Sequence, residues 1–210
     1  SWLSTRTAAG QLVEIDRRLR PNGNAGLLVS SLQAFQTYQR ESAWGWEHQA
    51  LSRARFAAGD PEIGAAFEAE RRAILSRRRE AGALRDEVVA MRRRMHEGHP
   101  NRSALFYLKH DAGGMVDIEF IVQFLVLAHS HAHPELLDNA GNIALLRRAG
   151  AAALIDAALA ERVAGAYREF RQLQHGLRLN DAQYARVEPA TVAALRADVQ
   201  ALWSAVLGER

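Results

Sequence analysis

The sequence predicts a mainly α protein: a helical bundle that follows one short β segment. Three observations carry that prediction. Apolar residues recur at helical spacing almost everywhere after Leu27. Helix-start signals stand ahead of those runs, most clearly Asp60-Pro61, an N-cap residue followed by a proline suited to the first helical position. Period-two alternation is confined to one stretch, Leu12 to Asp16.

In chain order, "LVEID" at Leu12 to Asp16 reads as a strand with Leu12, Glu14 and Asp16 on one face and Val13 and Ile15 on the other. "RPNGNAG", Arg20 to Gly26, is a turn-rich loop whose glycines and asparagines tolerate positive φ. Helix follows over Leu32 to Gln39, with Ser31 as N-cap, and again over Ala43 to Ala57. Trp44, Trp46, Phe35 and Tyr38 read as core aromatics. The next helix runs from Pro61 to about Arg79. The one after it spans Leu84 to Met95, with Leu84, Val88, Met91 and Met95 as its apolar stripe and its arginines in water. His96 to Gly114 is the longest irregular stretch. Val116 to about His131 is apolar on nearly every side, which marks a central buried helix. Helices near Asn142 to Ala149, Ala152 to Leu179 and Thr191 to Leu207 complete the chain, the last opened by Glu188-Pro189. A boundary at Gly59-Asp60 divides residues 1–59 from a bundle over 60–210.

The 210 residues suffice for one good core, or a core plus part of a neighbour. With no cysteine, disulfide frames and Cys-based zinc sites are excluded, and a cytoplasmic protein is the expectation. The longest apolar run, Ile118 to Ala128, is interrupted by Glu119 and Gln123 and falls short of the ~18 residues of a membrane span. The first residue is not Met, which suggests a piece of a larger protein. A pI near 9.8 accompanies a net charge of only +3. Arginine does not deprotonate, so the high pI reflects arginine bias, and Glu interspersed among the basic runs argues against nucleic acid. "RRR" at Arg77 to Arg79 and at Arg92 to Arg94 reads as solvated helix face.

Against that bias one residue stands out. Lys109 is the only lysine, while the other 26 basic residues are arginine, and it lies just before Gly113-Gly114 in "FYLKHDAGGMVDIEF". A lysine is a compact charge on a flexible stem, suited to a phosphate that a planar fork does not fit. Gly113 and Gly114 allow close backbone approach at the start of the buried helix, and Asp117 sits in its first turn, favoured by the helix dipole. Glu119 shares an otherwise apolar helix with Gln123. Buried there, it needs an Arg, a donor or a metal-bound water, with a structural salt bridge as the plain alternative.

Glu14 and Asp16 lie about 6–7 Å apart on one strand face. With Arg18 and Arg20 they form a surface suited to Mg²⁺ and phosphate, although spacing alone favours a solvated edge strand with cross-strand ion pairs. The Asn22, Gly23 and Gly26 loop offers backbone N–H groups to an anion, or is a plain tight turn. His129 and His133 have metal-ligand spacing with no third ligand in evidence.

Taken together, "EIDRRLRPNGNAGLLVSSLQAFQTYQRESAWGWEHQALSRAR", "LRDEVVAMRRRM" and "LKHDAGGMVDIEFIVQFLVLAHSH" resemble the glutamine synthetase adenylyltransferases, two-headed enzymes that add AMP to glutamine synthetase and remove it. The segments occur in order over the first two thirds of the chain. "W-x-WEHQAL" and "GG-x-x-DIEF" look like the C-terminal, adenylylating half.

The resemblance implies that residues 1–59 are a short β remnant and helices of a nucleotidyltransferase α/β domain. It further implies that Asp16 is the third catalytic acid, with Glu14 as a second candidate ligand for Mg²⁺, and that ATP is the nucleotide. Arg18, Arg20, Asn22, Gly23, Gly26, Lys109, Gly113, Gly114, Asp117 and Glu119 are its candidate contacts. The Gly-Ser turn and Asp-x-Asp pair of that fold do not occur in these residues, so the piece alone is expected to be inactive. The partners implied are glutamine synthetase and a PII signal protein, with no nucleic acid and no membrane. The alternative is an interaction module that docks either protein.

Overall fold

The computed structural model describes residues 29–138 and 140–208, together with the backbone of residues 6–7 and 10–11. The predicted strand Leu12 to Asp16 and the loop Arg20 to Gly26 lie outside the described residues. Ahead of them β1 (Arg6–Thr7) pairs antiparallel with β2 (Gly10–Gln11), Arg6 opposite Gln11.

Among the described residues the architecture is mainly α, as the periodicity predicts. Eight helices follow: α1 (Leu32–Glu41), α2 (Gly45–Leu51), α3 (Pro61–Leu75), α4 (Ala81–Glu97), α5 (Met115–His129), α6 (Asn142–Ala151), α7 (Ala157–Leu179) and α8 (Ala193–Leu207). Between α4 and α5 lies β3 (Phe106–Tyr107). It pairs antiparallel with β4 (Arg186–Val187), a ribbon that pattern reading does not anticipate.

The axis of the bundle is α5. Twelve of its fifteen residues are buried, so it has no solvent stripe and packs on α2, α4, α6, α7 and α8. Its Ile118, Ile121 and Leu127 meet Leu75, Leu146, Val163, Phe170 and Leu202 in a single core cluster. Residues 32–51, ahead of the boundary expected at Asp60, pack on the same bundle through α1 on α3 and α2 on α3, α4 and α5.

Local signals set the starts of helices. The Ser31 hydroxyl accepts from the Ala34 N–H at 3.2 Å, and Asp60 accepts from Glu62 at 2.8 Å with Pro61 at the first position. The ends are set by arginine side chains that reach backbone carbonyls. The second helix stops at Leu51 because Arg71, buried on α3, takes the carbonyls of Leu51 (3.2 Å) and Ser52 (2.9 Å) and also that of Leu137 (2.8 Å). The third stops at Leu75, short of Arg79, because the Arg79 guanidinium turns back onto the Ile74 and Leu75 carbonyls at 3.0 and 3.1 Å. The long helix begins at Ala157 because Asp156 caps it by accepting from the Leu159 N–H at 2.7 Å.

Two expectations about side chains are corrected. Arg79 is half-buried and Arg92 is buried, so the arginine runs are not simply solvated faces. Trp44 and Trp46 are 70% and 37% exposed, while the polar Glu47 and Gln49 that follow them are buried. The Tyr38 hydroxyl donates to Glu47 at 2.9 Å, and the Trp44 N–H donates to the same carboxylate at 2.9 Å, which holds the acid inside. No helix among the described residues is long and apolar enough to cross a membrane.

Candidate functional site

The ten residues from Leu105 to Gly114 lead to the buried N-terminus of α5, and most of their backbone polar groups are hydrogen-bonded. Asp117 has no exposed surface. One oxygen accepts from Arg92 Nε on α4 at 2.7 Å and the other accepts from the Gly113 N–H at 2.6 Å. Arg92 also donates to the His110 carbonyl at 2.7 Å, so one ion pair clamps both limbs of the loop. Asp111 folds the turn by accepting from the Tyr107 N–H at 2.8 Å and from the Asn101 amide at 2.7 Å. The Met115 and Val116 N–H groups donate to the carbonyls of Leu108 and Lys109, at 2.9 and 3.1 Å.

The glycines serve that closure. A Cβ on Gly114 would lie 2.6 Å from the Leu108 carbonyl oxygen and 2.9 Å from that of Asp111, and Gly113 has φ of +85° against the backbone of Arg196. The close approach they allow is to the chain's own carbonyls, and both residues are buried. Lys109 emerges from this closed loop exposed, with its backbone carbonyl held and its ammonium in no ion pair among the described residues. Fixing the backbone while freeing the side chain presents one positive charge at a set place.

His110, next to it, is buried and stacks on His99 with ring centroids 4.1 Å apart and 2° between planes. Burial pushes its pKa down to about 4, with the positive groups of His99, Lys109 and Arg92 adding in the same direction. It is therefore a neutral ring at pH 7.

Glu119 is half-buried on α5, and its partner is a hydroxyl: Tyr167 of α7 donates to it at 3.0 Å. Burial, then the Glu119 charge, raises the Tyr167 phenol above its ordinary range. Close by, Arg53 donates to the buried Asn142 side chain, so α5, α6, α7 and the end of α2 share one polar seam. The structure gives Glu119 a tyrosine, and no contact to Lys109.

Of the expected site residues, Lys109, Gly113, Gly114 and Asp117 are thus brought together in one loop, and Glu119 stands apart in its own network. Glu14, Asp16, Arg18, Arg20, Asn22, Gly23 and Gly26 lie outside the described residues. No group of three metal-ligating side chains occurs among the described residues. His129 instead lies edge-on to Phe124, and His133 pairs with Glu135 at 3.1 Å. Sequence reasoning missed Arg92, because an arginine 25 residues before its acid carries no local sign of the pairing.

Comparison with known proteins adds to this geometry. Residues 1–70 match the family model for glutamate-ammonia ligase adenylyltransferase, and residues 78–201 match that for GlnD PII-uridylyltransferase. The chain is 63% identical over 212 residues to the bifunctional glutamine synthetase adenylyltransferase/adenylyl-removing enzyme of Ralstonia nicotianae. It is 59% identical over 208 residues to that of Aromatoleum aromaticum and 48% identical over 221 residues to that of Nitrosomonas eutropha. Each match covers 99% of this chain and only 22–24% of the relative, so the chain spans less than a quarter of the length of these relatives. With both family models in order along it and these identities over nearly its whole length, the chain belongs to the glutamine synthetase adenylyltransferase family.

Proposed function

We propose that this chain is part of an enzyme that transfers AMP from ATP to a tyrosine of glutamine synthetase, and so regulates nitrogen assimilation in the cytoplasm. The observation that carries the reading is identity of 59% and above, across 99% of the chain, to enzymes bearing that name. In this reading residues 1–59 complete a nucleotidyltransferase domain and residues 60–210 form the bundle behind it.

The tyrosine oxygen attacks the α-phosphorus of ATP, the bond to the bridging oxygen breaks, and pyrophosphate leaves with the electron pair. The tyrosine proton passes to solvent or a base. Such a transfer depends on positioning and on neutralising charge on the phosphates. Asp16 and Glu14 would hold Mg²⁺, which would neutralise charge on the phosphates. In this reading Arg18 and Arg20 would meet phosphate oxygens, with Asn22, Gly23 and Gly26 as further candidate contacts. Lys109 adds its charge from the bundle side, on a loop that Asp117, Gly113 and Gly114 keep closed. Without the Asp-x-Asp pair the 210 residues alone are inactive.

The test is transfer of labelled AMP to glutamine synthetase by the full-length enzyme carrying Asp16→Asn. Transfer is lost while the unfolding midpoint stays unchanged; near-normal rates would refute the role of Asp16.

A second reading, docking of a PII signal protein on the bundle, draws support from the match of residues 78–201 to a PII-uridylyltransferase model. Retention of PII by the full-length enzyme, lost on changing exposed bundle residues with AMP transfer intact, would favour it.

A further inference from the structure

We propose that Arg186, held between Tyr107 and Tyr184, forms with Lys109 a binding site for a polyphosphate group, the triphosphate of a nucleotide or the pyrophosphate it releases. The inference rests on the reading that Lys109 meets the nucleotide, and it adds residues from the far end of the chain to that contact.

The β3–β4 ribbon sets the arrangement. Tyr107 stands opposite Arg186, and the Leu108 N–H donates to the Ala185 carbonyl at 3.1 Å, so the pairing continues one residue past β3. Phe106, Leu108 and Ala185 are buried in the core. The alternate residues remain outside: Tyr107 and Arg186 half-buried, Tyr184 47% exposed. By the antiparallel register, Lys109, two residues after Tyr107, and Tyr184, two residues before Arg186, lie at the same end of the ribbon. Sequence separation of more than seventy residues hides this juxtaposition.

The Arg186 guanidinium carbon lies 4.5 Å from the Tyr184 ring centroid and 5.5 Å from that of Tyr107, and the two rings meet edge-on at 5.9 Å. Two ring contacts fix the plane of a side chain that otherwise has much rotamer freedom. Its Nε is buried with no hydrogen-bond partner, and the guanidinium makes no ion pair among the described residues, including with Glu188 two residues on. The acid on the loop, Asp111, already accepts from the Tyr107 N–H and from Asn101. The ribbon thus carries an ordered fork and a flexible ammonium, both without a counter-charge among the described residues, beside exposed aromatic surface. A chain of phosphates matches that set: Arg takes two oxygens in its plane, and Lys reaches a neighbouring phosphate.

The experiment measures equilibrium binding of pyrophosphate and of α,β-methylene-ATP, each with Mg²⁺, to the full-length enzyme. The variants are Arg186→Met, Arg186→Lys and Lys109→Met, all with unfolding midpoints checked. Arg186→Met weakens binding of both probes by about tenfold or more. Arg186→Lys recovers part of the loss, since charge survives and the fork does not. Loss for both probes assigns the contact to the shared phosphates. Loss for the nucleotide analogue alone still supports the site and assigns it to the bound nucleotide. Unchanged binding of both probes in folded Arg186→Met, with Lys109→Met impaired, overturns this proposal and leaves the Lys109 reading standing. Unchanged binding in both variants overturns the two together.

Discussion

Replacing Asp117 by asparagine removes one charge from a pair that water does not reach. The Asp117 side chain is fully buried, the Arg92 side chain is 6% exposed, and their contact is 2.7 Å. The variant keeps the shape and one acceptor for the Gly113 N–H, but it leaves the Arg92 charge buried without a counter-ion. Breaking a buried pair from one side costs about 3–5 kcal/mol, a large part of the roughly 5–15 kcal/mol that holds a typical domain together. With a urea m-value of about 2 kcal/mol/M, the unfolding midpoint falls by about 2 M. Urea denaturation followed by circular dichroism reads the shift. Hydrogen exchange at Gly113 reads the loop, and its amide exchanges faster in the variant. A double variant, Arg92→Met with Asp117→Leu, removes both charges and regains much of the loss. A fall of less than 1 kcal/mol for Asp117→Asn alone, in a cooperative unfolding transition, would refute the clamp.

Two further outcomes follow from the same loop. Gly114→Ala places a Cβ against two backbone oxygens that cannot swing away, and loses about 2 kcal/mol in the same denaturation assay. His110 has its pKa depressed from 6.5 to about 4 in the folded protein, so between those values the unfolded chain binds more protons. The stability this neutral ring contributes is present in full above pH 6.5 and is lost as pH falls towards 4, by at most about 3 kcal/mol. Denaturation midpoints at pH 7.5 and pH 5 check the sign, and His110→Phe flattens the slope.

Legibility in the sequence divides by distance along the chain. Ser31, Asp60-Pro61 and the apolarity of Met115–His129 on nearly every side act within one or two turns, and each is visible as spacing or residue type. Helix ends are different. Arg71 terminates α2 by reaching carbonyls about twenty residues back, and only the packed fold shows which carbonyls those are. The aromatic reading of Trp44 and Trp46 fails for a related reason: Tyr38 supplies Glu47 with a buried partner, so the acid turns inward and the tryptophans outward. At the candidate site, the Gly-Gly pair and Asp117 mark the loop in the sequence, and Lys109 marks itself by being the lone lysine. Arg92, Tyr184 and Arg186 carry no such mark. They become recognisable only when α4 and β4 are laid beside the loop.

In the proposed function the closed loop holds the Lys109 charge where ATP is bound. Steady-state AMP transfer to glutamine synthetase by the full-length enzyme carrying Lys109→Met, with ATP varied, tests it most directly. Loss of a charge-assisted phosphate contact worth about 1.5–3 kcal/mol lowers kcat/KM for ATP by roughly tenfold to a hundredfold, with the unfolding midpoint unchanged. Wild-type kcat and KM for ATP in that variant would contradict the account.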